Sequence, residues 1–244
     1  AITSGKENSN DTIANCNIAN FYHTNTQSCG LNIGGGNSGW TISGNRIYQT
    51  TARSYTSSQS IYGVFVNNTS TGSNFKIADN IIGYSSSSGT GTYTMTGSSG
   101  ESFYGIWYQG STIGATDIQG NILTNINFGT TFGTFYGIFA SSGSVNVGTT
   151  SPNIIGSATG TGAIVCNVTS NGTTGAYGIY MNSSSPAVVD LENNIIGGIN
   201  LVGSSTSVGV GFYGIYCVNN ASTTVQGNTI GSTSTANSIS SSPA

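Results

Sequence analysis

The sequence predicts an all-β solenoid of about seven stacked coils of short parallel strands. Three observations predict it. The tripeptide Tyr-Gly-Ile/Val recurs five times, at Tyr62-Gly63-Val64, Tyr104-Gly105-Ile106, Tyr136-Gly137-Ile138, Tyr177-Gly178-Ile179 and Tyr213-Gly214-Ile215. Each copy is followed by an Asn step, at Asn80, Asn121, Asn153, Asn194 and Asn228, with an aliphatic residue two positions on. The Gly-to-Asn interval is 17, 16, 16, 16 and 14 residues, whereas the Asn-to-Asn interval is 41, 32, 41 and 34. A unit nearly fixed inside and elastic outside is the mark of stacked coils joined by variable loops. No 3.6-residue apolar stripe of useful length competes with it, and no capping helix is evident.

The elements follow in chain order. Residues 1–39 hold irregular first coils, one near Asn17-Ile18 and one at Leu31-Asn32-Ile33 leading to Trp40–Ile47. Regular repeats occupy 40–232, and 233–244 reads as a Ser-rich tail or a connection to a next unit. After each Tyr-Gly, alternation sends Val64/Val66, Ile106/Tyr108, Ile138/Ala140, Ile179/Met181 and Ile215/Cys217 to one face, the core. The residues between them, Phe65, Trp107, Phe139, Tyr180 and Tyr216, then face outward as a candidate binding or assembly face. A second strand follows at Phe75-Lys76-Ile77, Thr116-Asp117-Ile118, Val189-Asp190-Leu191 and Thr224-Val225. In the coil of Asn153, where Thr150 and Pro152 break the pattern, it shifts to Val145/Val147. The two longest intervals contain extra alternations, Tyr93–Met95 and Ile164–Val168, which predict a third strand face formed only in some coils.

Asn at each corner has a physical reason. A sharp turn needs a residue that tolerates the left-handed region, and Asn does so while its amide bonds to backbone. Stacked at equal positions, Asn45, Asn80, Asn121, Asn153, Asn194 and Asn228 are expected to bond to one another as a structural ladder.

The pattern Gly-Ile-x-x…Val/Ile-x-x-Asn-x-Ile, clearest from Tyr177 to Gly197, resembles the repeat of the right-handed, single-stranded parallel β-helices of the pectin-lyase-like superfamily. The resemblance spans about residues 40–232 and is nearly silent on activity, since many functions share that scaffold. The charge-poor Ser/Thr/Asn/Gly surface is similar to that of large exported repeat proteins of bacterial surfaces.

Composition narrows the function classes. Only 5% of residues are charged, with a net charge of −3, so a basic stripe for nucleic acid is excluded. No stretch approaches the roughly 20 apolar residues of a membrane-spanning helix, and no signal peptide is visible. Four cysteines fit an oxidising compartment, with Cys16–Cys29 as the easiest disulfide and Cys166–Cys217 either a second or two small buried hydrophobes. Cysteine spacing and a lone His23 give no metal site, and no cofactor is expected.

For catalysis, the candidates are thin. Asp117 and Asp190 share a repeat position two coils apart, roughly 9.6 Å between backbones, inside the loose range of an inverting carboxylate pair. The pair lacks companions, Lys76 being expected much further along the stack. Solvated surface charge is the plainer reading of both and of Glu192. Nucleophilic catalysis lacks a base, and Gly34-Gly35-Gly36 lacks the Lys and helix of a phosphate loop.

The expectation is therefore a non-catalytic extracellular or cell-surface β-helix, structural or adhesin-like, self-associating end to end or laterally, into a filament or within a longer surface protein. Two alternatives stay open: a carbohydrate-binding module using the outward aromatics, and a polysaccharide lyase or hydrolase. Sequon-like triplets at Asn10, Asn67, Asn68, Asn167, Asn171, Asn182 and Asn220 add a glycosylation hypothesis.

Overall fold

The structure, a computed structural model, describes residues 8–68, 72–168, 174–203, 211–218 and 220–243. Every described strand pairing is parallel, and the strands fall into four long sheets that form a parallel β-helix, with one two-stranded pair beside them, Asn8–Ser9 with Asn37–Ser38. The first sheet stacks seven strands, Thr12–Ala14, Thr41–Ser43, Lys76–Ala78, Thr116–Gln119, Val145–Val147, Val188–Glu192 and Ser222–Gln226. The second, just past the Asn corner, also has seven, from Asn17–Ala19 to Thr229–Ile230. The third has six, from Arg53–Tyr55 to Ile239–Pro243, and the fourth has six, from Ser28–Ile33 to Gly211–Cys217.

Parallel strands joined around a coil bury one face each, so the same position supplies the core in every coil. In the second sheet Ile47, Ile82, Leu123, Ile155 and Ile196 stack in register and are all fully buried. The shifted strand Val145–Val147 aligns with Thr116–Ile118, and its two valines are fully buried. The third sheet differs from expectation: it runs through six strands rather than a few coils, because even the shorter intervals hold an apolar segment such as Ile126–Thr130. The Ser-rich 233–244 segment contributes its last strand, Ile239–Pro243, paired with Ile199–Gly203.

At the corner, the side-chain amide Nδ2 of each Asn from Asn45 to Asn194 donates to Oδ1 of the Asn one coil on, at 2.9 Å in all five steps. It also donates to a carbonyl of the preceding coil, as Asn121 does to Ile77 at 2.8 Å. From Asn45 to Asn194 these side chains are fully buried, so each polar group needs the partner it has.

The turn itself is a correction. None of the six ladder asparagines is left-handed; the residue before five of them is, at Gly44, Asp79, Gly120, Asn193 and Gly227 (φ 57–66°). An Asn whose amide must reach inward to two coils is not free to take the strained backbone as well. At Asn153 the preceding residue is Pro152, whose ring forbids positive φ, and Gly148 (φ 78°) makes the turn earlier.

Candidate functional site

The outer face of the fourth sheet is the most distinctive surface. Strict alternation places Tyr104 on the same face as Ile106 and Tyr108, inside. The structure instead buries two successive residues, Gly105 and Ile106, so Tyr104 and Trp107 come out on the same outer face, ring centroids 6.0 Å apart. Glycine is required there: a Cβ on Gly105 would lie 2.0 Å from the Leu123 side chain and 2.7 Å from the Gly137 carbonyl of the next coil. The same break recurs at each Tyr-Gly, which pairs Tyr with Tyr and then skips to Ile with Ile or Val.

Two aromatic columns result. Tyr62, Tyr104, Tyr136, Tyr177 and Tyr213 stack at 5.0, 4.6, 5.1 and 5.1 Å with planes within 13° of parallel. Beside them run Phe65, Trp107, Phe139, Tyr180 and Tyr216, at 4.4, 6.1, 4.9 and 5.1 Å, the first pair nearly parallel and the others tilted by 31–42°. The tyrosine column was hidden by the period-2 reading; the signal that finds it is the invariant Gly after each Tyr.

Ring stacks on ring, so the flat faces are used up within the columns and the surface receives edges. Phe65 and Tyr62 are each only 6% exposed, whereas Tyr213, in the last coil, is 44% exposed. Burial pushes the Tyr136 phenol up to about 12, and raises those of Tyr62 and Tyr104 as well, since water is not there to solvate a phenolate. Neighbouring phenols in the stack add to the effect on Tyr136 and Tyr104. Trp107 Nε1 is buried without a hydrogen-bond partner.

The strands carrying these columns end at an uncharged groove of about 430 Å³, lined by Ser111, Thr112, Ser141, Ser142, Asn182 and Ser184 with Ile113. Ile113 is 83% exposed.

The carboxylates give a different picture from the expected pair. Lys76, Asp117, Asn146 and Asp190 occupy successive register positions on the outer face of the first sheet. Lys76 is thus the immediate neighbour of Asp117, not distant from it, because the 41-residue interval makes a single coil. Asn146 separates the two acids and donates to Asp117 Oδ1 at 2.9 Å. Glu192 is half-buried at the end of its strand. Among the described residues no three His, Cys, Asp or Glu side chains are grouped to hold a metal. His23 Nδ1 accepts from the Asn25 backbone in a local turn.

Sequence reasoning passed over Glu101, which is 1% exposed and accepts from Thr130 Oγ1 at 2.9 Å and from the Ser99 N–H at 3.2 Å. It staples the loop before the strand Ser102–Gln109.

The cysteine pairings are also corrected: Cys16, Cys29, Cys166 and Cys217 are all free. Cys166 fills a core position between Phe128 and Leu201, where burial drives its thiol far up. Cys217 continues the Met181 position in the last coil. Cys16 stands where later coils carry Asn, its N–H donating to Asn45 Oδ1 at 3.0 Å, which places it at the corner between the first and second sheets, whereas Cys29 lies in the fourth.

No family model, curated protein or solved structure matches the chain. The site therefore rests on its geometry alone. Of the sequon-like positions, Asn10, Asn67, Asn167 and Asn220 are exposed, Asn182 is half-buried, Asn68 is buried, and Asn171 lies outside the described residues. No helix among the described residues is long and apolar enough to cross a membrane.

Proposed function

We propose that the chain is a non-catalytic structural module, an adhesin-like β-helix of the extracellular space or cell surface. On this reading its right-handed coil and its kinship lie with the pectin-lyase-like scaffolds, the handedness following from the strong preference of parallel crossovers. One observation carries the reading: the chemistry of this molecule is columnar. Among the described residues Asn stacks over Asn, Ile over Ile and Tyr over Tyr from coil to coil. An active site is a local departure from a repeat; a rod is the repeat itself.

Association through the ends belongs to the same proposal. Val225 (51%) and Ile230 (52%) are exposed, while their counterparts one coil earlier, Leu191 and Ile196, are fully buried; a further coil of a longer chain and a second copy would cover them alike. Apolar strand edges of this kind are covered in assembled solenoids. Electron microscopy of the purified protein over a concentration series tests it: rods lengthening with concentration are expected, and monodisperse particles at every concentration would refute self-association.

The groove favours a second reading, a carbohydrate-binding module. Its hydroxyl and amide lining without charge suits a neutral glycan better than an ion. Ring stacking by sugars on Trp107 is disfavoured, since its faces meet Phe65 and Phe139. A glycan array with the wild type and Asn182→Ala separates the readings: retention lost in the variant supports the module, and no retention by wild type ends it.

A further inference from the structure

The uncharged groove has its origin in loop length. Between the fourth sheet and the first, three successive coils cross by 110–115, by Gly143-Ser144 and by 182–187, that is by six, two and six residues. The middle coil lacks the loop that both neighbours carry, and a notch opens between them. Ser111 and Ile113 stand on one wall, Asn182 and Ser184 on the other, and Ser141 and Ser142 on the floor. No side chain can rise from the middle of that floor: a Cβ on Gly143 (φ 95°) would lie 2.9 Å from the carbonyl oxygens of Gly110 and Ser111.

The walls are two strand spacings apart, roughly 9.6 Å between backbones, and their side chains narrow this to the thickness of one extended polymer chain. They end where the strands resume. The notch is therefore open at both mouths, towards Phe139 on the fourth sheet and towards Asn146 on the first, while the two loops block it along the rod axis. The floor sets its polarity. Ser142 Oγ donates to the Gly110 carbonyl at 3.0 Å and Ser141 Oγ to that of Tyr108 at 3.4 Å, which leaves their lone pairs as acceptors. Ser111 Oγ accepts from the Ile113 N–H at 3.4 Å and keeps its own proton to donate. Ile113 adds one apolar edge, and no charged side chain lines the notch among the described residues. Sugar rings, with hydroxyls that donate and accept around apolar C–H faces, match that set.

We propose that the notch holds a linear neutral polysaccharide in mid-chain, with the polymer crossing the rod parallel to its strands rather than running along it. This rests on the carbohydrate-binding reading above and adds to it the chain direction and the mode of capture. A polymer held this way has both ends free, so one chain can tie several copies together.

Calorimetry with cello-, xylo-, manno-, laminari- and chitohexaose, their monosaccharides and hexagalacturonate tests it. At least one neutral hexasaccharide is expected to bind, about tenfold or more tighter than its monosaccharide and than the acidic oligomer. Inserting Gly-Ser-Thr-Gly between Ser142 and Gly143 gives the short loop the six residues of its neighbours and should abolish binding. The same insertion between the exposed Ser87 and Ser88 should leave it intact. Ser142→Tyr fills the floor at unchanged chain length and answers the question if the first insertion does not fold, as thermal melts would show. Undiminished affinity in a folded, filled variant would place the sugar elsewhere, ending this inference while the carbohydrate reading stands. Equal affinity for monosaccharide and hexasaccharide would likewise exclude mid-chain capture alone. Binding to none of the neutral sugars would end both. Direction is read with a nitroxide at the reducing end of the bound hexasaccharide: amide broadening centred near Phe139 or Asn146 is expected, and broadening centred beyond a wall, near Lys76 or Thr223, would show a chain lying along the rod and overturn the proposal.

Discussion

A Cβ on Gly120 would lie 2.4 Å from Oδ1 of Asp79, one coil below. The same holds for Gly44 over Asn15 and Gly227 over Asn193, at 2.5 Å each. The left-handed column therefore alternates: an Asx side chain in one coil covers the backbone of a glycine in the next. Both residue types tolerate positive φ, but only glycine leaves room for the neighbour's carboxamide or carboxylate.

This alternation makes a prediction. Gly120→Ala combines a left-handed backbone with an atomic overlap and is expected to cost about 2–4 kcal/mol. In an Asp79→Gly background the overlap is gone, so the same change should cost only the backbone part, about 1–2 kcal/mol. Urea denaturation of the four proteins measures the coupling; equal costs in both backgrounds would show that Asp79 does not crowd Gly120.

The ladder gives a second. Asn121 Oδ1 accepts from both the N–H and the Nδ2 of Asn80, at 3.1 and 2.9 Å. Asn121→Ala leaves those two fully buried donors unmatched, for an expected loss of about 2–5 kcal/mol. The half-buried end rung is different: unmatched donors of Asn194 can reach water, and Asn228→Ala should lose about 1–2 kcal/mol. A larger loss at position 228 than at 121 would contradict the ladder's energetics.

These two cases show what was legible in the sequence and what was not. The positions of Ile82, Leu123 and Ile155 and of the corner asparagines follow from spacing, because a solenoid repeats its core in every coil. Which corner residue is left-handed did not follow, since Asn suits both roles and only hydrogen-bond accounting tells Asn80 from Asp79. The tyrosine column was missed because alternation was carried through a glycine that breaks it. Lys76 was expected much further along the stack, although Lys76 and Asp117 are register neighbours.

The acidic row supplies a third prediction. Asn146 separates Asp117 from Asp190, so Asn146→Asp would set three carboxylates one strand apart. The expected penalty is roughly 0.5–1.5 kcal/mol at low ionic strength, shrinking with added salt as the charges are screened. The substitution also removes the amide donor to Asp117, a part of the loss that salt does not restore. Thermal melts in low and high salt separate the two; a penalty independent of salt would mean the three side chains do not repel.

Thiol labelling gives a fourth. Cys16 and Cys217 are exposed, while Cys166 is wholly buried with its thiol held protonated by its apolar surroundings. Cys16 and Cys217 are expected to react rapidly with a maleimide in the folded protein, Cys29 slowly, and Cys166 only after unfolding. Rapid modification of Cys166 in native conditions would place it outside the core. Label at Cys16, Cys29 or Cys217 that appears only after prior reduction would instead reveal disulfides.

The aromatic face sets the response to base. Burial holds the phenols of Tyr136 and Tyr55 up at about 12, from an ordinary value of 10.0. The folded chain therefore keeps these protons in a range where the unfolded chain has released them. Stability from this source is fully present below about pH 10 and falls as pH rises from about 10 towards 12, because there the unfolded state binds fewer protons. Absorbance titration of phenolate should show exposed tyrosines ionising first and a delayed group lost together with the fold. Removing one contributor shifts the onset: Tyr136→Phe keeps the ring stack with Tyr104 and Tyr177 but has no proton to lose, and is expected to unfold at higher pH than wild type. An unchanged alkaline midpoint in Tyr136→Phe, with stability at neutral pH unaltered, would show that this phenol does not govern base unfolding.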